Sequence, residues 1–145
     1  MVGVLAPQPF RILMPMTRRI IQTDNAPAPV GPYNQAVVAS GQLVFVAGQI
    51  PLDAETGQLI SSDDVVAQTH QCMANLKAIL VAAGATLEDV VKTTIFLKDM
   101  SDFGAMNGAY ATYFSDQSAP ARACIEVARL PKDVRVEIEC MAVIS

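Results

Sequence analysis

Val134-Arg-Val-Glu-Ile-Glu-Cys-Met-Ala-Val-Ile144 reads as one long β-strand with two unlike faces. Successive side chains of a strand point to opposite sides, so Val134, Val136, Ile138, Cys140, Ala142 and Ile144 form a continuous apolar row and are assigned to the core. Arg135, Glu137, Glu139, Met141 and Val143 point the other way, a row that mixes charge with apolar surface. Upstream, the turn Leu130-Pro-Lys-Asp133 connects this strand to another at about 122–128, in which Arg122, Cys124 and Glu126 share one face and Ala123, Ile125 and Val127 the other. Polarity alone puts Arg122 on the face away from the core.

Moving outward, Val66, Thr69, Met73, Leu76 and Leu80 recur at helical spacing and predict a helix over 63–83. Ser61 or Ser62 would lead into it, Asp63 and Asp64 would occupy its first turn, and Gly84 would stop it. A β-rich run follows at 90–97, then a second helix over 102–114 capped by Ser101, with Phe103, Met106, Tyr110 and Phe114 as its stripe. Small residues at Gly104, Gly108 and Ala111 lie beside Asn107 on its neighbouring face, where another backbone could come close. Near the start, 18–23 is a weak edge strand, and 25–33 is a proline-rich loop, because prolines remove backbone donors and restrict the residues before them. Residues 36–39 and 43–47 about Ser40-Gly41 predict a β-hairpin. The order β-β-β-α-β-α-β-β is an α+β fold, one mixed sheet covered on one face by two helices.

That leaves a bare, partly apolar sheet face. The chain has 145 residues, 52% hydrophobic and only 17% charged, which is a single domain with little polar surface to cover itself. Both observations point to burial of the open face against copies of the same chain. Residues 1–16, punctuated by Pro7, Pro9 and Pro15 and holding alternative starts at Met14 and Met16, read as an extension without a chemical role; 17–145 is the domain. The N-terminal segment lacks the basic start of a signal peptide, and no apolar run reaches the roughly 20 residues of a membrane span. Cys72, Cys124 and Cys140 form no metal or redox spacing and read as thiols of a reducing compartment, so a cytoplasmic location is expected. A net charge of −4 opposes contact with nucleic-acid phosphates.

No catalytic triad, phosphate-binding glycine loop or metal motif is present. His70, the single histidine, falls on the flank of its helix stripe and reads as a solvent-edge residue, while Cys72 and Cys140 read as small core hydrophobes. What remains is the C-terminal constellation: Arg122, whose guanidinium fork matches a carboxylate, and the carboxylates Glu126, Glu137 and Glu139. In isolation Arg122 and Glu137 each read as surface or interface ion-pair residues, and pattern alone does not choose among the three glutamates.

Several segments, taken together, resemble the Rid (reactive intermediate deaminase) family, closest to its RidA branch. They are Asn25-Ala-Pro-Ala-Pro-Val-Gly-Pro-Tyr-Asn-Gln35, Gly48-Gln-Ile-Pro51, Val91-Lys-Thr-Thr94, Phe96-Leu-Lys-Asp99, Asp102-Phe103 with Asn107, and Pro120-Ala-Arg-Ala-Cys-Ile-Glu-Val-Ala-Arg-Leu-Pro-Lys-Asp133 through Val136-Glu-Ile138. The match runs in order from about residue 17 to 143. The resemblance implies a chorismate-mutase-like fold in a homotrimer, sheets inside and helices outside, with active sites between subunits. It implies hydrolysis of 2-enamine and 2-imine acids, such as 2-iminobutanoate and 2-iminopropanoate, to 2-keto acids and ammonia without a cofactor. The imines would come from pyridoxal-phosphate enzymes. Carried over, it makes Arg122 the carboxylate anchor, Glu137 the residue that activates water, and Tyr33 a gate on the neighbouring side of the cleft. Gly48, Asn107 and the backbone of Cys124 would line the pocket. Ala47 stands where the branch often has Ser, so one hydroxyl is missing from the implied pocket. Competing readings are an endoribonuclease or translation inhibitor, a non-catalytic binder of small carboxylates using the same Arg122, and a redox-activated holdase switched at Cys124.

Overall fold

The structure is a computed structural model and describes residues 18–144, so the expected extension 1–16 lies outside the described residues. Strand β1 (Arg19–Ile21) pairs antiparallel with β2 (Ala36–Val38). A four-stranded sheet is built from β3 (Gln42–Gln49), β4 (Val90–Leu97), β5 (Ala121–Glu126) and β6 (Val136–Ile144), in the spatial order β3-β6-β4-β5. β6 runs antiparallel to both its neighbours, and β4 and β5 are parallel. Parallel strands need a crossover connection. Helix α2 (Phe103–Ala111) supplies it between β4 and β5, while α1 (Val65–Ala82) lies between β3 and β4 in the chain.

The α+β class and the two helices agree with the sequence reading; the single sheet and the hairpin do not. β2 turns away to β1, and β3 finds β6 instead, because the eight residues of β3 can match a nine-residue partner while β2 offers three. Gly41, at φ 142°, carries the chain from one pair to the other.

The long alternation of β6 is borne out: Val136, Ile138, Cys140 and Ala142 are buried under the helices with Ile95 and Leu97 of β4. From α1, Val65, Cys72, Met73, Leu76 and Leu80 complete that core, joined by Met106 and Tyr110 of α2. The C-terminus of α1 closes as its Gly84 predicts. At φ 80° this glycine lets its own N–H reach Val81 O (3.0 Å) and the N–H of Ala85 reach Leu80 O (2.8 Å), the paired bonds of a Schellman motif.

Both helix starts differ in detail from expectation. Asp64 is the N-cap of α1 rather than a first-turn residue, its carboxylate accepting from Ala67 N at 3.2 Å. Ser101 sits inside a short 3-10 turn (Met100–Asp102) that Asp99 caps, and Asp102 holds the N-cap position of α2 without a capping bond. The carboxylates of Asp63 and Asp102 instead meet Arg135, at 3.2 and 3.1 Å, which ties both helix starts to the beginning of β6. Among the described residues no helix is long and apolar enough to cross a membrane.

Candidate functional site

Arg122 is the second residue of β5 and pairs in register with Thr93 of β4, a wholly buried residue on the helix side of the sheet. Its side chain therefore lies under α2, correcting the expectation that polarity turns it away from the core. Cys124 shares that side, opposite Ile95. The guanidinium is held closely: Nη1 donates to Asn107 Oδ1 at 2.6 Å, and the rings of Tyr110, Tyr33 and Phe103 lie 5.0, 5.5 and 5.7 Å from its central carbon. The backbone of Gly31 closes the fourth side, since a Cβ there would sit 3.4 Å from Arg122 Nη2 and 3.6 Å from Asn107 Nδ2.

Two side chains that sequence reasoning passed over set this loop in place. Asn34 is buried and donates through Nδ2 to Ala119 O (2.7 Å) and Asp116 O (2.9 Å), while its N–H reaches Pro120 O, so residues 31–34 are fastened to the chain that leads into β5. Gln35 accepts from Thr23 N and donates to Pro27 O, which organises the proline-rich loop around one amide. Tyr33 is thereby fixed beside Arg122 in the same chain.

Arg122 has no carboxylate partner among the described residues; their ion pairs are Arg129 with Asp133 and Arg135 with Asp63 and Asp102. Burial pulls its pKa down, opposed by the nearby Tyr110, Cys124 and Tyr33, but a guanidinium so held stays charged at neutral pH. A half-buried cation walled by aromatic rings is incomplete without an anion. The thiol of Cys124 is pushed up by its own burial, with Arg122 acting against the shift, so it stands as a neutral thiol rather than a nucleophilic thiolate.

The three glutamates are no longer equivalent. Glu126 is occupied, its Oε2 accepting from Met100 N at 2.7 Å. Glu139 is exposed along a groove of about 330 Å³ lined also by Phe45, Lys92, Thr94 and Met141. Glu137 is half-buried and lies against Gly48, so closely that a Cβ on Gly48 would collide with Oε1 and stand 3.0 Å from Cδ. Gly48 falls where the register of β3 against β6 slips, between Val46 and Gln49. Such bulges re-aim side chains beside sites.

Glu137 pairs with Phe96 of β4, three residues from Thr93, so it projects from the face opposite Arg122. One chain thus brings together Arg122, Tyr33 and Asn107 with Cys124 close by, and separately Gly48 with Glu137; it does not bring the two sets together. Glu137's face is the open one, where Phe45 (70% exposed), Leu43 (63%), Ile125 and Met141 stand uncovered. His70 is exposed as expected, its Nδ1 2.7 Å from Tyr113 OH on the outer helical surface.

Comparison with known proteins bears on this arrangement. The family described as Endoribonuclease L-PSP matches residues 23–144. A RutC family protein of Synechocystis is 58% identical over 129 residues, 89% of this chain and 98% of the relative. A Salmonella typhimurium protein named 2-iminobutanoate/2-iminopropanoate deaminase is 50% identical over 127 residues, 86% of this chain and 97% of its own. Among solved structures, Escherichia coli TdcF with bound serine matches at a TM-score of 0.66 and 44% identity, covering 88% of this chain and 99% of that one.

Proposed function

This chain belongs to the endoribonuclease L-PSP family, the Rid family that its motifs resemble, and from that premise we propose that it hydrolyses 2-imino acids to 2-keto acids and ammonia. Arg122 supports this reading most directly. It is a half-buried cation without an acidic partner among the described residues, fixed by Asn107 and three rings, and therefore suited to a small carboxylate. The amino acid bound to TdcF carries such a group.

Glu137 is the water-activating carboxylate in this proposal. A protonated imine carbon is already electrophilic, so the protein has only to orient it and deliver water. Glu137 takes one proton from water as the oxygen bonds to C2 and returns it to the amino group of the tetrahedral carbon; the C–N bond then breaks to release ammonia, which takes the one proton shed by the new hydroxyl and leaves as ammonium as the C2 carbonyl forms. A 2-iminium acid and water become a 2-keto acid and ammonium, with no electrons exchanged and no cofactor required.

Because Arg122 and Glu137 lie on opposite sheet faces, the proposed site takes its Arg122 half from one copy and its Glu137 half from another. The homotrimer implied by the Rid resemblance offers that juxtaposition, and the uncovered Leu43, Phe45, Ile125 and Met141 are the surface such an assembly would bury. Tyr33 and Asn107 belong to the anchoring half, with the Cys124 backbone nearby, and Gly48 to the hydrolytic half. Pyridoxal-phosphate enzymes that release 2-iminobutanoate are the proposed suppliers, and a cytoplasmic location fits the three thiols.

The test couples purified protein to threonine dehydratase and follows semicarbazide-trapped imine. Faster loss of imine and earlier 2-oxobutanoate release are expected, both abolished by Arg122→Ala. No acceleration, or full activity in that variant, would refute the proposal. Retained 2-oxobutanoate binding without turnover in the parent protein would support a carboxylate sensor instead.

A further inference from the structure

Helix α2 presents Phe103, Asn107 and Tyr110 at successive i, i+4, i+7 positions, so the three lie on one face and all meet Arg122. Their environments differ. Phe103 is partly exposed, whereas Tyr110 is wholly buried and its ring lies nearest the guanidinium, 5.0 Å from centroid to central carbon. Arg122 and Thr93 are register partners on adjacent strands, side by side on the sheet. Tyr110 spans both: its ring faces Arg122, and its hydroxyl lies 2.8 Å from Thr93 Oγ1, a buried bond between two groups with no water to replace either.

We infer that Tyr110, locked in place by Thr93, is the positioning residue that holds the Arg122 guanidinium ready for a carboxylate, an inference that rests on the anchoring role proposed for Arg122. The physical basis is the negative face of an aromatic ring, which attracts a cation most strongly where water is excluded. An arginine side chain free to explore its rotamers is binding-competent for only part of the time, and the apparent dissociation constant rises in inverse proportion to that fraction. Asn107 fixes one nitrogen; the ring holds the central carbon over its face. Nothing in this arrangement reaches the Glu137 half of the site, so affinity and the chemical step should separate.

The experiment measures the dissociation constant for 2-oxobutanoate by calorimetry together with kcat in the coupled assay. Tyr110→Phe and Thr93→Val each remove the same hydrogen bond, and the double variant should match either single one, at about two- to fivefold weaker binding. With Tyr110→Phe as reference, replacing that ring by mono-, di- and trifluorinated phenylalanine keeps its shape while draining its negative face, so these variants fold as the reference does. Binding should weaken stepwise, to about tenfold in all, with kcat within twofold. A dissociation constant flat across the fluorinated series, while Arg122→Ala still abolishes binding, overturns the positioning role and leaves the anchor intact. Parent-like binding by Arg122→Ala overturns the anchor itself.

Discussion

Replacing Gly48 by alanine puts a methyl group into the carboxylate of Glu137. The added Cβ would overlap Oε1 and stand 3.0 Å from Cδ and 3.3 Å from Cγ. Carbon atoms at rest keep about 3.5–4.0 Å apart. The side chain of Glu137 must therefore retreat by roughly an ångström or leave its rotamer, the latter at about 0.5–1.5 kcal/mol. A stability loss of that size lowers Tm by only a few degrees. The effect on catalysis is larger, because misplacing a reacting group by about 1 Å costs on the order of 10²-fold. Gly48→Ala should thus lower kcat for imine hydrolysis by about a hundredfold, approaching Glu137→Gln. Its affinity for 2-oxobutanoate should stay within about twofold, since Arg122 lies on the other face of the sheet. Semicarbazide-trapping kinetics and calorimetry read the two quantities separately. Undiminished kcat in Gly48→Ala would refute the role given to Glu137, and lost affinity with intact kcat would refute the division into halves.

Phe45→Asp places a charge on the open face and should convert the proposed assembly to monomers in sedimentation, abolishing turnover at the same time; an active monomer would contradict a site shared between copies. Asn34→Ala leaves the carbonyls of Asp116 and Ala119 unpartnered, at about 1–3 kcal/mol each where they are buried, so Tm should fall clearly and 2-oxobutanoate should bind several-fold more weakly as the Tyr33 loop loosens. Burial pushes the Cys72 thiol from 9.0 up to about 12, with Glu137 adding to the shift. Below pH 9 both folded and unfolded chains keep that proton, so it confers no pH dependence there. Between pH 9 and 12 the unfolded chain releases it while the folded chain retains it, and stability falls by up to about 1.4 kcal/mol per pH unit. Denaturant titrations at pH 8 and pH 10 should show that fall, and Cys72→Ala should make it shallower by one thiol's share, the rest coming from Cys140 and Cys124, whose thiols burial also pushes up.

What the sequence disclosed followed from periodicity, and what it concealed followed from pairing. The stripe from Val66 to Leu80 and the stop at Gly84 fix α1, because a helix is closed by bonds within its own segment. The alternation of β6 likewise marks its buried row. Strand partners are a different matter, since Ala36–Val38 carries no signal that says β1 rather than β3, and the helix N-caps depended on which acid Arg135 would claim. Arg122 and the three glutamates stood out from the residues themselves, while the choice of Glu137 among them and the candidacy of Tyr33, Gly48 and Asn107 came through motif resemblance. Asn34 and Tyr110 were passed over because a buried amide in a loop and a tyrosine in a core stripe look, in one dimension, like ordinary packing.

The misassigned face of β5 explains more than a wrong parity. Ordinarily the polar row of an outer strand faces water and the apolar row faces the core. Here Arg122 and Cys124 lie under α2, while Ile125, from the apolar row, stands 45% exposed on the other side. Leu43 and Phe45 of β3 and Met141 of β6 are exposed on that same side, so strands at both edges and in the middle of the sheet agree. The inversion itself is confined to β5, since β3 and β6 keep apolar residues on the helix side; what the three strands share is apolar side chains on the open face, the pattern of a surface suited to burial. Holding a guanidinium with no carboxylate partner among the described residues beneath a helix then has a reason. In the proposed assembly the sheet would give its apolar side to other copies and keep the proposed carboxylate anchor on the helix-covered side, so variants of the open face should act through assembly and variants around Arg122 through affinity.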